Sequence, residues 1–260
     1  MIDNPRAPRV RRVAQLLRKS VRRDTGLFLL EGPQAVGEAL ASRPELIVEL
    51  FAVDTVLDRY PAIAAAGPVL ASERVLGAMS DTVTPQGVIA VARQFAAGLA
   101  EVVAARPRLV AVLEEIRDPG NAGTILRAAD AVGADAVIFS GDTVDPYNPK
   151  VVRATTGSLF HVPHVVGVDL ATTVASLRSV GLQVLAADVS GEDLTAVRTD
   201  GSLAAPTVWV FGNEARGLDA SRLALVDRVL RLPIFGRAES LNLATAASVC
   251  LYESAFAQHA

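Results

Sequence analysis

Short apolar runs alternate with amphipathic stretches along most of the chain, and this alternation predicts an α/β fold. After residue 108 the apolar runs lack polar alternation, which is typical of strands buried on both faces of a parallel sheet. The stretches between them have helical spacing, so we expect a parallel sheet with helices on both faces. Strands are predicted at 109–113, 136–139, 165–166, 182–186, 208–211 and 228–232, and helices at 122–132, 149–159 and 240–258.

The first 95 residues predict a smaller alternating α/β unit that begins with a basic helix of about 20 residues. An Ala- and Gly-rich stretch then ends at Pro107 and is interpreted as a linker. The predicted organisation is an N-terminal domain over residues 1–95, a linker over 96–107 and a C-terminal domain over 108–260. Strands of the first domain are predicted at 28–30, 46–53, 69–70 and 88–92, and its later helices at 33–40 and 72–79.

Composition indicates a globular protein of the reducing cytoplasm. The chain has 260 residues, of which 51% are hydrophobic and 20% charged, and it is far from the composition of disordered chains. Its one cysteine, Cys250, excludes an intrachain disulfide and a cysteine-based zinc site. His161 and His164 lack an evident third ligand, so no metal is predicted. We find neither a signal peptide nor an apolar stretch long enough to span a membrane.

The charge is unevenly distributed along the chain. Residues 1–23 hold eight basic side chains and one acidic one, whereas the whole chain has a net charge of −3. A basic arm on an acidic body indicates a polyanionic partner, and a solvated, frayed terminus is the alternative interpretation. Nearly all of these cations are arginines, which bind phosphate in a bidentate way and stack on bases.

Several common catalytic motifs are missing. No G-x-G-x-x-G follows a strand, so a dinucleotide-binding oxidoreductase is disfavoured. The chain has neither the phosphate-binding motif of P-loop proteins nor the G-x-S-x-G elbow of α/β-hydrolases.

Three polar loops instead follow predicted strands of the C-terminal domain, at the edge where open α/β sheets bind ligands. They span residues 118–133, 211–218 and 232–244. In the first loop, Asn121 is predicted to cap the following helix. In the second, glycines on either side of Asn213-Glu214 let the backbone approach a ligand closely. Capped helices and tight turns explain each loop alone, but not the ordered set of three.

Taken in order, these loops closely resemble the three signature motifs of the SpoU family of RNA ribose 2′-O-methyltransferases, a branch of the SPOUT superfamily. The resemblance covers residues 108–260 and includes a similar family segment at 149–160. The basic helix and Phe28–Gly32 resemble the N-terminal substrate-binding domain that many members carry, which is similar to a ribosomal-protein-type RNA-binding fold. The resemblance implies a deep trefoil knot in the C-terminal sheet, S-adenosylmethionine bound in that knot, and a homodimer with active sites beside the interface.

The resemblance also implies roles for individual residues. The functional positions of the motifs, expected to be catalytic, are Asn121, Arg127, Glu214, Ser240 and Asn242. The expected cofactor contacts are Ser140, Gly141, Phe211, Gly212, Asn213, Gly217, Leu232, Ile234, Leu241 and Ala246. The expected RNA contacts are Arg9, Arg11, Arg12, Arg18, Lys19, Arg22 and Arg23.

The implied reaction is attack by a ribose 2′-oxygen on the sulfonium methyl group. Arg127 is the family's usual candidate for the base, but a guanidinium rarely gives up a proton. We therefore expect Arg127 to hold a phosphate and stabilise the developing alkoxide. The expected substrate is 23S ribosomal RNA, and a thiostrepton-resistance-type enzyme is one form of this hypothesis. The alternatives are a tRNA ribose methyltransferase and a non-catalytic RNA-binding or ribosome-assembly factor.

Overall fold

The computed structural model describes all 260 residues and divides them into two compact units. Unit 1 comprises residues 1–95 and 145–161, and unit 2 comprises residues 96–144 and 162–260. None of the helices combines the length and apolarity needed to cross a membrane.

The regular elements follow in chain order. The strands are β1 (Leu27–Glu31), β2 (Ile47–Ala52), β3 (Val69–Leu70), β4 (Val88–Arg93), β5 (Leu109–Glu114), β6 (Ala136–Ser140), β7 (His164–Val168), β8 (Gln183–Asp193), β9 (Thr207–Phe211) and β10 (Arg228–Arg231). The helices are α1 (Pro8–Gln15), α2 (Lys19–Thr25), α3 (Pro33–Ser42), α4 (Asp54–Leu57), α5 (Pro61–Ala65), α6 (Glu73–Met79), α7 (Leu99–Ala104), α8 (Pro119–Ala131), α9 (Pro149–Thr155), α10 (Leu170–Arg178), α11 (Leu194–Asp200), α12 (Ala220–Leu223) and α13 (Leu243–Gln258). Short 3-10 helices lie at Pro44–Leu46, Ser158–Phe160 and Ser202–Ala204.

Unit 2 is built on a six-stranded sheet in the order β10-β8-β9-β5-β6-β7, and every pair of neighbours is parallel. This confirms the predicted parallel sheet. All residues of β5, β6 and β9 are buried, which is why their sequences show apolar runs without alternation. The indole Nε1 of Trp209 donates a hydrogen bond of 2.8 Å to Ser254 Oγ, and both side chains are fully buried. This bond fastens the closing helix α13 to the sheet.

Strand β8 is longer and less regular than the sequence predicts. Val229 pairs with Ala186, but the next residue, Leu230, pairs with Glu192, so the part of β8 between these partners bulges out of the ladder. The apolar run of β8 ends at the bulge, which explains why the predicted strand stops at residue 186. The threading of this region into a knot remains a prediction from the family resemblance.

The stretch 96–107, predicted as a linker, contains helix α7. Leucine and alanine favour helix formation, and Val102 of this helix is buried in the apolar core of unit 2. The Ala- and Gly-rich composition of the stretch thus concealed a short helix with a buried apolar residue.

Unit 1 contains a four-stranded mixed sheet in the order β1-β4-β2-β3, in which only β2 and β3 are parallel. The predicted basic helix is interrupted and forms two short helices, α1 and α2. Val10, Val13 and Leu16 pack into the apolar core of this unit, so the apolar face of the basic segment is not a free surface.

Residues 145–161, which the sequence analysis assigned to the C-terminal domain, belong to unit 1. The ring of Tyr147 packs against that of Phe28 with a centroid distance of 4.9 Å. The ring of Phe160 stacks on that of Phe95 at 5.4 Å. The returning segment therefore completes an aromatic cluster on β1, and unit 1 is discontinuous in sequence.

Arg22 is buried, contrary to its predicted role as an RNA contact. Only 2% of its surface is exposed. Its guanidinium donates to Asp145 Oδ2 at 2.7 and 2.9 Å, and to the carbonyl oxygens of Leu16 and Leu17 at 2.9 Å each. The buried charge is thus neutralised, each guanidinium nitrogen makes a hydrogen bond, and Arg22 joins α2 to the returning segment.

We predict that Arg22→Ala destabilises unit 1, because it leaves Asp145 without its counter-ion in a poorly solvated site. Breaking a buried pair costs about 3–5 kcal/mol, which corresponds to a fall in the unfolding midpoint of roughly 6 °C or more. Circular dichroism during thermal unfolding measures the effect. The control is Arg23→Ala, since the neighbouring Arg23 is exposed; equal midpoints for the two variants would contradict the prediction.

Candidate functional site

The first and second polar loops meet at the carboxylate of Glu214. One oxygen, Oε2, accepts a hydrogen bond from the amide of Arg117 at 3.1 Å. The other, Oε1, accepts from the amide of Asp118 at 3.0 Å and from Nδ2 of Asn121 at 3.2 Å. The acid therefore holds the start of helix α8, where the positive end of the helix dipole favours a negative charge.

Asn121 and Asn242 extend this contact to the third loop. Nδ2 of Asn242 donates to Oδ1 of Asn121 at 2.9 Å. The Oδ1 atom of Asn242 caps helix α13 by accepting from the amides of Ala244 and Thr245 at 3.0 and 3.2 Å. Both ends of each side-chain amide are thus used, which fixes their orientation. We call Glu214, Asn121 and Asn242 the loop junction.

Helix α8 is capped by Asp118 rather than by Asn121, which corrects the sequence prediction. Asp118 Oδ1 accepts a hydrogen bond of 2.7 Å from the amide of Asn121. Pro119 occupies the first helical position, where a missing amide proton costs nothing. Because Asp118 supplies the cap, the side chain of Asn121 is available to the loop junction.

The second loop is closed by Asn213. Its Nδ2 donates to the carbonyl oxygen of Glu115 at 2.8 Å, and its Oδ1 accepts from the amides of Ala215 and Arg216. A Cβ atom on Gly212 would lie only 2.7 Å from the carbonyl carbon of Gly217. Only glycine therefore fits at position 212, as the close backbone approach expected from the sequence requires.

The environment of Glu214 keeps it ionised at neutral pH. Partial burial acts to raise its pKa, but hydrogen bonds from its own backbone, from the amides of Arg117 and Asp118 and from the side chain of Asn121 outweigh this effect. The net result is a pKa below the ordinary value. Glu214 is thus an acceptor that organises the loops, and its lowered pKa does not suit a general base at neutral pH.

Two buried polar atoms lie at the carboxyl ends of β5 and β6. Ser140 ends β6, is fully buried and pairs in register with Glu114 at the end of β5. Ser140 Oγ and Glu114 Oε2 both lack a hydrogen-bond partner, although Arg222 binds the other oxygen of Glu114 at 2.7 Å. Unpartnered buried polar atoms at the carboxyl edge of a parallel sheet fit a polar ligand.

The third loop exposes apolar side chains. Ile234 and Leu241, both predicted cofactor contacts, are exposed, as is Phe235. Among the other predicted contacts, Phe211 and Gly212 are buried, Leu232 and Ala246 are half-buried, and Gly141 has a positive φ of 64°. The loops thus offer unpartnered polar atoms, backbone that a ligand can approach closely, and exposed apolar side chains. This combination suits a cofactor that contains a nucleoside.

Arg127 and Ser240 do not take part in the loop junction. Arg127 is exposed on α8, roughly 9 Å along the helix axis from Asn121 at about 1.5 Å per residue. Neither side chain makes a hydrogen bond or ion pair within the chain. Of the five predicted catalytic residues, the structure therefore joins Asn121, Glu214 and Asn242 and leaves two facing solvent.

Glu114, Glu115 and Arg222 also belong to this edge and were not predicted from the sequence. Arg222 lies between the two acids, with its Nη2 at 2.8 Å from Glu115 Oε1. The available signal was the pair of acids that ends the apolar run of β5. A carboxylate at the end of a fully buried strand requires a counter-ion.

Fold and site together define an α/β ligand-binding domain whose three polar loops are joined at the carboxyl edge of a parallel sheet. The family model described as "SpoU rRNA Methylase family" matches residues 108–252. A second family model, "MRM3-like substrate binding domain", matches residues 7–90. The chain belongs to the SpoU rRNA methylase family, and it is an RNA ribose methyltransferase that uses S-adenosylmethionine.

Relatives of known name match nearly the whole chain. The 23S rRNA (guanosine(2553)-2′-O)-methyltransferase RlmP of Bacillus subtilis (strain 168) is 35% identical over 254 residues, which is 96% of this chain and 97% of the relative. The 23S rRNA (guanosine-2′-O-)-methyltransferase RlmB of Bordetella pertussis is 34% identical and covers 87% of this chain and 96% of its own. The crystal structure of an AdoMet-bound rRNA methyltransferase from Sinorhizobium meliloti has a TM-score of 0.83 at 32% identity, covering 97% of this chain and 96% of that one.

We predict a pH-dependent stabilisation by Glu214. Because its pKa is lowered in the folded protein, its contribution is present above the ordinary pKa of 4.5 and is lost as the pH falls through the folded value. Glu214→Gln should therefore lower the unfolding midpoint at pH 7, and the difference from the unmodified protein should shrink below pH 4.5. The effect is modest because the carboxylate is largely exposed.

The matched control is Glu239→Gln, since Glu239 is exposed in the third loop and makes no hydrogen bond or ion pair within the chain. Thermal unfolding at pH 7 should give this variant the same midpoint as the unmodified protein. A Glu214→Gln difference that stays constant from neutral to acidic pH would refute the role of the ionised carboxylate.

Proposed function

We propose that this protein transfers the methyl group of S-adenosylmethionine to a ribose 2′-hydroxyl in 23S ribosomal RNA. The observation that carries the proposal is the loop junction of Glu214, Asn121 and Asn242, which unites the three family motifs at one edge of the sheet. The named 23S rRNA enzymes align over 96% and 87% of this chain. We therefore favour ribosomal RNA over tRNA, and we place the reaction in the cytoplasm.

The cofactor supplies an electrophilic methyl group on a sulfonium sulfur. The chain's own task is to hold the ribose oxygen in line with that group. Such alignment of the reacting atoms can supply a large part of the rate acceleration. The loop junction fixes the start of α8 against the second and third loops. Ser140, Glu114 and the apolar third loop would hold the cofactor, in the knot that the family resemblance implies.

Arg127 is proposed to bind the phosphate next to the reacting ribose and to stabilise the developing alkoxide. Its guanidinium is exposed and has no partner in the chain, so both of its parallel donors are available to an RNA phosphate. A guanidinium does not give up its proton readily, and we do not assign it the role of base. Ser240, exposed beside Asn242 in sequence, is proposed as a further contact to substrate or cofactor.

Unit 1 is proposed to bind the RNA through its basic segment. Arg11, Arg12, Arg18 and Lys19 are exposed and unpaired, and Arg23 faces solvent with only a 3.5 Å contact to Asp24. Arg9 is half-buried, pairs with Glu49 at 2.6 Å and lies over the ring of Phe51, so we give it less weight. Contacts of this kind position the RNA without reading its sequence and weaken with salt.

Transfer of labelled methyl groups tests the proposal. The full-length protein is incubated with labelled S-adenosylmethionine and unmodified 23S rRNA or tRNA, and the RNA is digested to nucleosides. We expect label in a 2′-O-methylnucleoside from the rRNA alone. Label in tRNA would establish the tRNA alternative. Binding of both RNA and cofactor without transfer to rRNA or to ribosomal subunits would support a non-catalytic factor.

The same assay tests Arg127. We predict that Arg127→Lys lowers kcat by a factor of about 10 or more, because an ammonium cannot reproduce two parallel hydrogen bonds to one phosphate. Binding of S-adenosylmethionine should not change. Arg178→Ala is the control, since Arg178 is also an exposed helical arginine but pairs with Asp227. Near-normal turnover by Arg127→Lys would exclude the bidentate geometry.

Helix α13 supports the proposed homodimer. Val249, Tyr252 and Phe256 follow the spacing of one helical face and are 40%, 39% and 64% exposed. The rings of Tyr252 and Phe256 contact each other with a centroid distance of 5.5 Å. An apolar stripe of this kind on an exposed helix fits burial by a partner, and we propose that the partner is a second copy of this chain.

We predict that Phe256→Glu shifts the protein from dimer to monomer, because it places a charge in the apolar stripe. Light scattering coupled to size-exclusion chromatography measures the mass. Val48→Glu, at an exposed apolar position on β2 of unit 1, should leave the mass unchanged. A dimeric Phe256→Glu variant, or a monomeric unmodified protein, would refute the assignment of this face.

A further inference from the structure

Unit 1 contains a cavity of about 280 Å³ that the proposed catalytic site does not use. It lies where the end of β1, the start of α3, the loop before β4 and the returning helix α9 come together within unit 1. The lining residues are Glu31, Gly32, Gln34, Ala35, Thr82, Thr84, Gln86, Arg153 and Thr156. Most of these side chains are uncharged and carry both hydrogen-bond donors and acceptors.

Several polar groups of the cavity are free to bind a ligand. The amide of Gln86 and the hydroxyls of Thr84 and Thr156 make no hydrogen bond within the chain. Nε2 of Gln34 donates to Glu38 Oε1 at 2.9 Å, which leaves the Oε1 atom of Gln34 as an acceptor. Donors and acceptors therefore line the same small space.

The only cation of the cavity is already neutralised. Arg153 lies 3.1 Å from Glu31 Oε1 and 3.2 Å from Asp81 Oδ2. The side chain of Glu31 is 5% exposed, so this arginine is held in place and does not offer a free positive charge. A cavity with this balance suits a neutral, hydrogen-bonding ligand better than a phosphate. A fixed guanidinium also provides a plane on which an unstacked base can lie.

The turn at one wall of the cavity has an unusual backbone. Thr156 has a φ of 50°, in the left-handed region that β-branched residues rarely enter. The next residue, Gly157, approaches α3 so closely that a Cβ atom would lie 2.3 Å from Glu38 Cγ. Strained backbone that packing holds in place is often found at ligand sites. The strained residue here, Thr156, lines the cavity.

We propose that this cavity takes a single unpaired nucleobase of the RNA substrate. Its volume of about 280 Å³ lies just below the range of about 300–1,000 Å³ for small-molecule pockets, and it suits one ring system rather than several. Proteins read single-stranded RNA by hydrogen bonds to splayed bases and by stacking on arginine planes. The side chains of Gln86, Gln34 and Thr84 bind the edge of the base, and Arg153 supports its face. This inference rests on the proposed function, which makes RNA the substrate.

The test compares two substitutions at neighbouring exposed positions of the same loop. Thr84→Trp places an indole in the cavity, whereas Val83→Trp does not, because Val83 is fully exposed and does not line the cavity. With unmodified 23S rRNA as the probe, we expect Thr84→Trp to raise KM about tenfold or more, as the loss of one base contact does. Its kcat and its affinity for S-adenosylmethionine should stay unchanged. Val83→Trp should match the unmodified protein throughout.

Chemical probing of the Watson–Crick edges of the bound rRNA identifies the base directly. We expect one unpaired base that the unmodified protein protects and that stays reactive when Thr84→Trp is bound at saturation. Gln86→Leu is a second variant, with a smaller change of volume, and it should also leave that base reactive. Equal KM values and equal protection for Thr84→Trp and Val83→Trp would overturn the proposal.

The two proposals fail in different ways. If the unmodified protein methylates no RNA, the proposed function fails, and probing of the bound rRNA still decides whether the cavity holds a base. If methylation proceeds but neither cavity variant affects KM or protection, only the base-binding proposal fails.

Discussion

The catalytic half of this molecule depends on one carboxylate that accepts hydrogen bonds from three donors. Glu214 binds two backbone amides ahead of α8 and the side chain of Asn121, and Asn121 passes the connection to Asn242 at the start of α13. Three loops that are far apart in sequence are thereby fixed by a single chain of polar contacts. Because a misplaced reacting atom costs much of the rate, we consider this junction the structural basis of the proposed reaction rather than a source of proton transfer.

The sheet of unit 2 could be predicted from the sequence because strands buried on both faces consist of unbroken runs of apolar residues. Residues such as Val110 and Val208 stand in unbroken apolar runs, and those runs became central strands. The members of the loop junction were also predicted, through the family resemblance. Their mutual bonds were not, since Asn121 lies 93 residues from Glu214 and 121 from Asn242. The Asp118-Pro119 pair was the signal that would have placed the cap correctly.

Charge patterns misled the sequence analysis at Arg22. A basic residue in a basic segment suggests contact with a polyanion, but the structure places its counter-ion, Asp145, 123 residues further along the chain. No local pattern contains that information. The same holds for the cavity of unit 1, at which Arg153 from the returning segment meets Glu31 and Asp81 of the N-terminal stretch. The resemblance of residues 149–160 to a family segment did not indicate that this segment would complete the other unit.

The discontinuity of unit 1 has a consequence for folding during synthesis on the ribosome. Its aromatic cluster and its buried ion pair need Tyr147, Phe160 and Asp145, which are synthesised after β5 and β6 of the other unit. The N-terminal stretch therefore cannot complete these contacts before about residue 161 has been synthesised. Long-range closure of this kind slows folding and prolongs the exposure of apolar surface.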